Sequence, residues 1–93
     1  MFFRILVSDR AWTDVDRLET WLWDHGAVYA TELGHHLATA ILGLRELPSR
    51  ARLSSARNRE LLVSFHSNQY VVRYQVRDGV VVVLRIHHAL EDR

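Results

Sequence analysis

Six side chains in the second half of the chain, Arg57, Arg59, His66, Arg73, Arg85 and His88, are of the types that polarise a phosphate and move a proton. Cleavage of RNA by its own 2′-hydroxyl needs a base, an acid and cations facing the phosphate, and arginine with histidine can supply all three. The competing reading is structural: Arg59 pairs with Glu60 or Asp92, and Arg73 and Arg85 wet an open sheet face. Other chemistries find less to work with. The sequence contains no glycine-rich phosphate loop, no His-Glu-x-x-His helix and no Gly-x-Ser-x-Gly turn. It has no cysteine, which excludes disulfides, thiolate zinc sites and cysteine nucleophiles. His35 and His36 point about 100° apart on a helix, and His87 and His88 fall on opposite faces of a strand, so neither pair is predicted to hold a metal. No metal and no cofactor is expected.

Charge adds a second theme. All twelve basic residues are arginines, and net charge is +1. A coding bias explains the absence of lysine; a physical reason would be that guanidinium forks suit carboxylates and phosphates. Residues 1–42 hold three arginines against six acids, and residues 43–93 hold nine against five, giving −3 and +4. Arg45, Arg50, Arg52, Arg57 and Arg59 crowd one loop whose only acid is Glu46. That loop could attract an acidic peptide or a phosphate backbone, or it could be solvated with no partner. Arg45, Arg50, Arg52 and Arg57 are accordingly partner-binding candidates. Trp12, Trp21 and Trp23 are expected to pack in the core or between helices; Trp23 fits the apolar stripe least well, and its exposure would make it a protein-contact candidate.

The elements that position these residues follow from periodicity. Phe3, Ile5 and Val7 alternate with polar neighbours, so residues 2–7 read as a strand. Ser8 or Asp9 can cap a helix whose stripe is Ala11, Val15, Leu18 and Leu22, with Asp14, Asp16, Arg17 and Glu19 on other faces and Gly26 at its end. A second helix is predicted from about Val28 to Glu46, on the stripe Ala30, Leu33, Leu37, Ile41 and Leu44, with Pro48 beyond it. The short gap makes the two helices an antiparallel hairpin. Three runs rich in β-branched and aromatic residues then read as strands at 61–66, 69–77 and 80–86. A three-residue loop, Arg77-Asp78-Gly79, would pair Val76 with Val80, Tyr74 with Val82 and Val72 with Leu84. Arg73 and Arg85 would then project from the sheet face opposite the apolar layer, beside Val71, Val81 and Val83.

The expected architecture is α+β: an N-terminal strand, an antiparallel helical hairpin, then three antiparallel strands, in one small sheet with the helices on one face. The 93 residues make one domain, 1–93. Arg4 and Asp9 interrupt the opening apolar run too early for a secretory signal, and no stretch is long enough to span a bilayer, so a cytoplasmic protein with no membrane partner is expected.

The stretches Arg59-Glu60-Leu61, Tyr70-Val71-Val72-Arg73-Tyr74-Gln75-Val76 and Val82-Val83-Leu84-Arg85-Ile86-His87-His88, followed by Asp92, resemble the RelE/ParE superfamily of toxins from type II toxin-antitoxin systems. The resemblance extends over nearly the whole chain and implies a cognate antitoxin as partner. It also implies one of two activities. RelE-like members cut messenger RNA on the ribosome; ParE-like members inhibit DNA gyrase by binding and are not enzymes. In the nuclease branch the strand usually reads Tyr-Arg-(Leu or Val)-x-Tyr, with the arginine gripping the phosphate. Val71 stands at that position here, and Arg73 on the same face is displaced by about 6.8 Å. The tail Arg85-Ile86-His87-His88 resembles the ParE pattern Arg-Ile-Leu-His, although His87 replaces an aliphatic residue and Glu91 an arginine. The resemblance therefore points to a ParE-like gyrase inhibitor with no catalytic residue. The alternatives are a RelE-like nuclease using Arg59, Arg73, Arg85 and His88, and a non-toxic relic that only binds an antitoxin.

Overall fold

The computed structural model of the protein describes residues 2–49, 51–55 and 57–91. The chain runs β1 (Arg4–Val7), α1 (Asp9–Asp24), α2 (Leu33–Leu42), β2 (Arg52–Leu53), β3 (Arg59–Phe65), β4 (Asn68–Arg77) and β5 (Val80–His88). This is an α+β fold in which the helical hairpin covers one face of a five-stranded sheet ordered β1-β5-β4-β3-β2. Two features differ from the sequence reading. The short β2 adds a strand at the arginine-rich edge, and β1 lies parallel to β5, so the sheet is mixed and not wholly antiparallel.

Ser8 starts α1 in the expected way: its hydroxyl accepts the Ala11 N–H at 3.1 Å, satisfying one of the orphan donors of the first turn. The same hydroxyl donates to the Leu84 carbonyl on β5 at 2.9 Å, tying the helix start to the sheet. Gly26, in the left-handed region at φ 80°, ends the helix. The second helix is shorter than predicted. Its α-helical part spans Leu33–Leu42, extended by 3-10 turns at Ala30–Glu32 and Gly43–Arg45, and Val28 lies exposed before it. The 3-10 turns keep Ala30 and Leu44 on the buried stripe. Glu19 reaches across from α1 to accept the Gly34 N–H at 2.8 Å, placing a carboxylate at the amino end of α2.

The core joins both helical stripes to Tyr70, Val72, Tyr74, Val81, Val83 and Ile86 on the sheet. This arrangement overturns the predicted β4–β5 register. Asp78 and Gly79 form a two-residue turn, both with positive φ, and pair Arg77 with Val80 and Val76 with Val81. The register then slips between Arg73 and Tyr74, where a β-bulge leaves Leu84 as the extra residue. The bulge resolves the mixing of faces that a two-residue turn would otherwise impose: Val81 and Val83 face the core before it, Ile86 after it. Val81 and Val83 are therefore buried under the helices and do not flank an open face.

Candidate functional site

The bulge also decides what Arg85 does. Its side chain turns to α1, where Nε donates to Asp14 Oδ2 at 2.8 Å and Nη2 donates to Asp14 Oδ1 at 3.0 Å. Asp14 additionally accepts the Ile86 N–H at 2.8 Å, and Arg17 Nη2 lies 3.4 Å from Oδ1. Asp14, off the apolar stripe of α1, is thus nevertheless buried at 3% exposure. Its position, three residues after Ala11 and four before Leu18, was the signal available. Burial pushes the Asp14 carboxyl up, but the Arg85 fork, the Ile86 N–H and Arg17 together outweigh it and hold the group below its ordinary 3.8. The same hydrogen bonds raise Arg85 above its usual range. Arg85 pairs with Arg73 across the strands, as its face predicts, and its half-exposed guanidinium is committed to a bidentate pair with Asp14.

Glu60 organises a second arginine cluster. It is buried on β3 beside Arg73 of β4, and its two oxygens receive Arg52 Nη2 at 3.2 Å and Arg73 Nη2 at 3.3 Å. Arg73 does lie on the face opposite the core, as expected, but with a carboxylate beside it. Arg59 does not take the expected Glu60 partner. It lies on the helix side, where Nη1 donates to the carbonyls of Ser49 and Ala51 and fastens the loop after α2. The other expected partner, Asp92, lies outside the described residues. At position 71, where an arginine would be needed to grip a phosphate in the nuclease pattern, Val71 is buried between its strand neighbours Leu62 and His87.

His88 ends β5 on the helix side, edge-on to Tyr70. The Leu90 N–H donates to His88 Nδ1 at 3.1 Å, so Nε2 carries the hydrogen and donates to Asn68 Oδ1, also 3.1 Å away. Glu91 accepts the His88 N–H at 2.7 Å and pairs with Arg17, pinning this turn to α1. Beneath it, desolvation, then Tyr29 and Glu91, push the Tyr70 phenol above 10.0, which keeps it protonated at neutral pH. His66 occupies the β3–β4 turn at the far end of β3 from Arg59, stacked on Tyr29 with 3.7 Å between ring centroids.

The four nuclease-type candidates are therefore not gathered at one point. Arg73 and Arg85 are direct partners across β4 and β5, but the Arg85 guanidinium is held by Asp14 of α1 and that of Arg73 by Glu60 of β3, while Arg59 and His88 lie on the helix side. Arg59 and His88 sit beside Tyr74 and Tyr70, roughly 13 Å apart along β4. Among the partner candidates, Trp23 is 65% exposed. Trp12 and Trp21 are also more than half exposed, contrary to the expectation that they would pack inside. Trp21 instead stacks on His25, and Trp12 lines the cleft between α1 and α2. Arg45 is exposed, its guanidinium 5.4 Å above the Phe2 ring. Arg52 and Arg57 are exposed, and Arg50 lies outside the described residues. Among the described residues no cluster of three or more potential metal ligands occurs, and no helix is long and apolar enough to cross a membrane.

A family model described as the ParE toxin of the type II toxin-antitoxin system parDE matches residues 5–93. The chain belongs to this toxin family. Curated relatives include Toxin RelE1 of Caulobacter vibrioides, 41% identical over the full length of both chains, and Toxin RelE2 of the same organism, 38% identical over 86% of this chain and 88% of that one. Solved structures with the same fold include a chain of the chromosomal ParDE system from P. aeruginosa, with TM-score 0.75, 13% identity and coverage of 94% of this chain and 96% of that one. A mutant of the E. coli toxin RelE in its free state gives TM-score 0.65 at 20% identity, covering 97% of this chain and 86% of that one. As a type II toxin of the RelE/ParE superfamily, the chain has a cognate antitoxin as its implied partner.

Proposed function

We propose that this ParE-family toxin acts in the cytoplasm as a non-catalytic inhibitor of DNA gyrase, binding the enzyme and trapping its cleaved-DNA state. The observation that carries this reading is the commitment of its cations. Arg85 and Arg73 each face a buried carboxylate of the same chain, while Val71 occupies the position at which a transcript-cutting relative would present an arginine. A phosphate in transit would have to displace Asp14 or Glu60 to use either guanidinium, at the cost of leaving a buried charge unpaired. The antitoxin docks on the exposed tryptophans of the helical layer and extends an acidic stretch to Arg45, Arg52 and Arg57, folding as it binds and stabilising the toxin. The experiment is a supercoiling assay with purified toxin and gyrase. Inhibition with accumulated cleaved complexes is expected; supercoiling unaffected by a large molar excess removes gyrase as the target.

A second reading, a ribosome-dependent mRNA endonuclease, is favoured by the RelE names of its relatives at 33–41% identity. It would use Arg59, Arg73, Arg85 and His88. Message cleavage in a translation extract, abolished by Arg73→Ala or His88→Ala, would establish it. Growth that continues when the chain is expressed alone would instead indicate a relic that only binds its antitoxin.

A further inference from the structure

At the β2 edge of the sheet two shallow concavities, of about 800 and 400 Å³, adjoin one another. Together they are lined by Arg52, Arg57, Arg59, Arg73 and Arg77 and, among the described residues, by one carboxylate, Glu60. Glu60 offsets one of the five charges, and Asp78 in the adjacent turn offsets part of another. Arg73 and Arg77 share a face of β4 roughly 13 Å apart. Arg57 and Arg77 are exposed and enter no ion pair among the described residues. Away from this edge, α1, which packs on β5, exposes Asp9, Asp16 and Asp24 beside Arg10 and Arg17.

We propose that this edge binds the sugar-phosphate backbone of duplex DNA. Its openness suits an extended polyanion and not an enclosed small anion. Among the described residues no aromatic side chain lines it, so it lacks the stacking platform by which single strands are held. Leu53 and Val76 are its only sizeable apolar groups among the described residues, too few to anchor a peptide at this edge alone. What remains is a cluster of permanent, forked cations in which Arg57 and Arg77 are unpaired among the described residues and Arg52 and Arg73 share one carboxylate, the chemistry that neutralises backbone phosphates without reading sequence. The acidic helix repels the same duplex and orients the protein with its sheet edge inward. An acidic antitoxin stretch reaching these arginines would compete for them. The proposal does not depend on the target, because it concerns DNA alone.

The test is fluorescence anisotropy of a labelled 20-base-pair duplex titrated with the full chain. About three neutralised phosphates predict a salt slope near −2.7, and hence roughly 40-fold weaker binding when salt rises from about 50 to about 200 mM. The Arg57→Ala/Arg77→Ala variant should lose about two of those contacts and retain only about a 3.5-fold salt effect. Arg57→Gln alone should lower the slope by about one, and Arg10→Ala on α1 should leave it unchanged. Absence of duplex binding at the lower salt, or an undiminished slope in both Arg57 variants, overturns the proposal. So does tighter binding of a single-stranded 20-mer RNA, or of a polyglutamate peptide, than of the duplex under the same conditions.

Discussion

The Asp14 junction and the β2 edge are built from the same residue type and behave in opposite ways. At the junction, Arg85 meets a carboxylate that is buried, accepts three close hydrogen bonds and ties α1 to the β-bulge. At the edge, Arg57 and Arg77 stand in solvent, and Arg52 and Arg73 divide the one carboxylate of Glu60 between them. An arginine with a buried carboxylate or a pair of carbonyls in reach acts as a structural fastener, as Arg85 and Arg59 do, whereas Arg57 and Arg77 have no carboxylate partner among the described residues and stay free cations. In this molecule the first kind holds the helices to the sheet, and the second kind is left to meet a partner.

The comparison breaks most directly at Asp14. Asp14→Ala removes the acceptor for Arg85 and leaves the Ile86 N–H buried and unpaired, so it should cost about 3–5 kcal/mol and lower Tm by 12 °C or more, roughly, in a thermal melt. If Asp14→Ala melts with the wild type, the junction is not the fastener described here. A smaller effect comes from acid. Because the folded pKa of Asp14 lies below its unfolded value, the stability it contributes is complete above about pH 4 and is lost as pH falls through the lowered folded value. Urea melts between about pH 2 and 6 should show a loss of stability below pH 4 that Asp14→Asn flattens. Next in size, Glu60→Gln should cost about 1–2 kcal/mol by weakening two partly exposed pairs, and should also strengthen polyanion binding at the edge. The least effect belongs to Arg57→Ala, expected within about 0.5 kcal/mol of wild type in the same melts. A destabilisation as large as that of Glu60→Gln would mean the edge arginines are structural after all.

How much of this could be read in advance depended on whether the relevant signal was local. The stripes Ala11–Leu22 and Leu33–Leu44 were legible because their spacing matches a helical turn, and the Ser8 cap and Gly26 stop because each is a backbone rule. The register of β5 was not. Val80 to Leu84 is an unbroken apolar run, so either alternation satisfies burial, and only the paired strand and the bulge choose between them. The partner of Arg85 lies 71 residues away, and no periodicity links the two. The carbonyl partners of Arg59 and the exposure of the tryptophans are hidden from the sequence for a related reason: composition says what a side chain can bind but not which neighbour the fold will offer it. Arg73 was placed on the correct face because strand alternation decides that alone.

The parallel pairing of β1 with β5 has a temporal consequence. The opening strand lies against the last one, with the whole helical hairpin and the remaining strands made in between. During synthesis, Arg4–Val7 must wait with its edge unpaired until Val80–Val83 has been made, and the Asp14 carboxylate must wait for Arg85. The nascent toxin therefore cannot assume its finished shape until Val80–Val83 has been made, and any partner that captures it earlier meets the helices first.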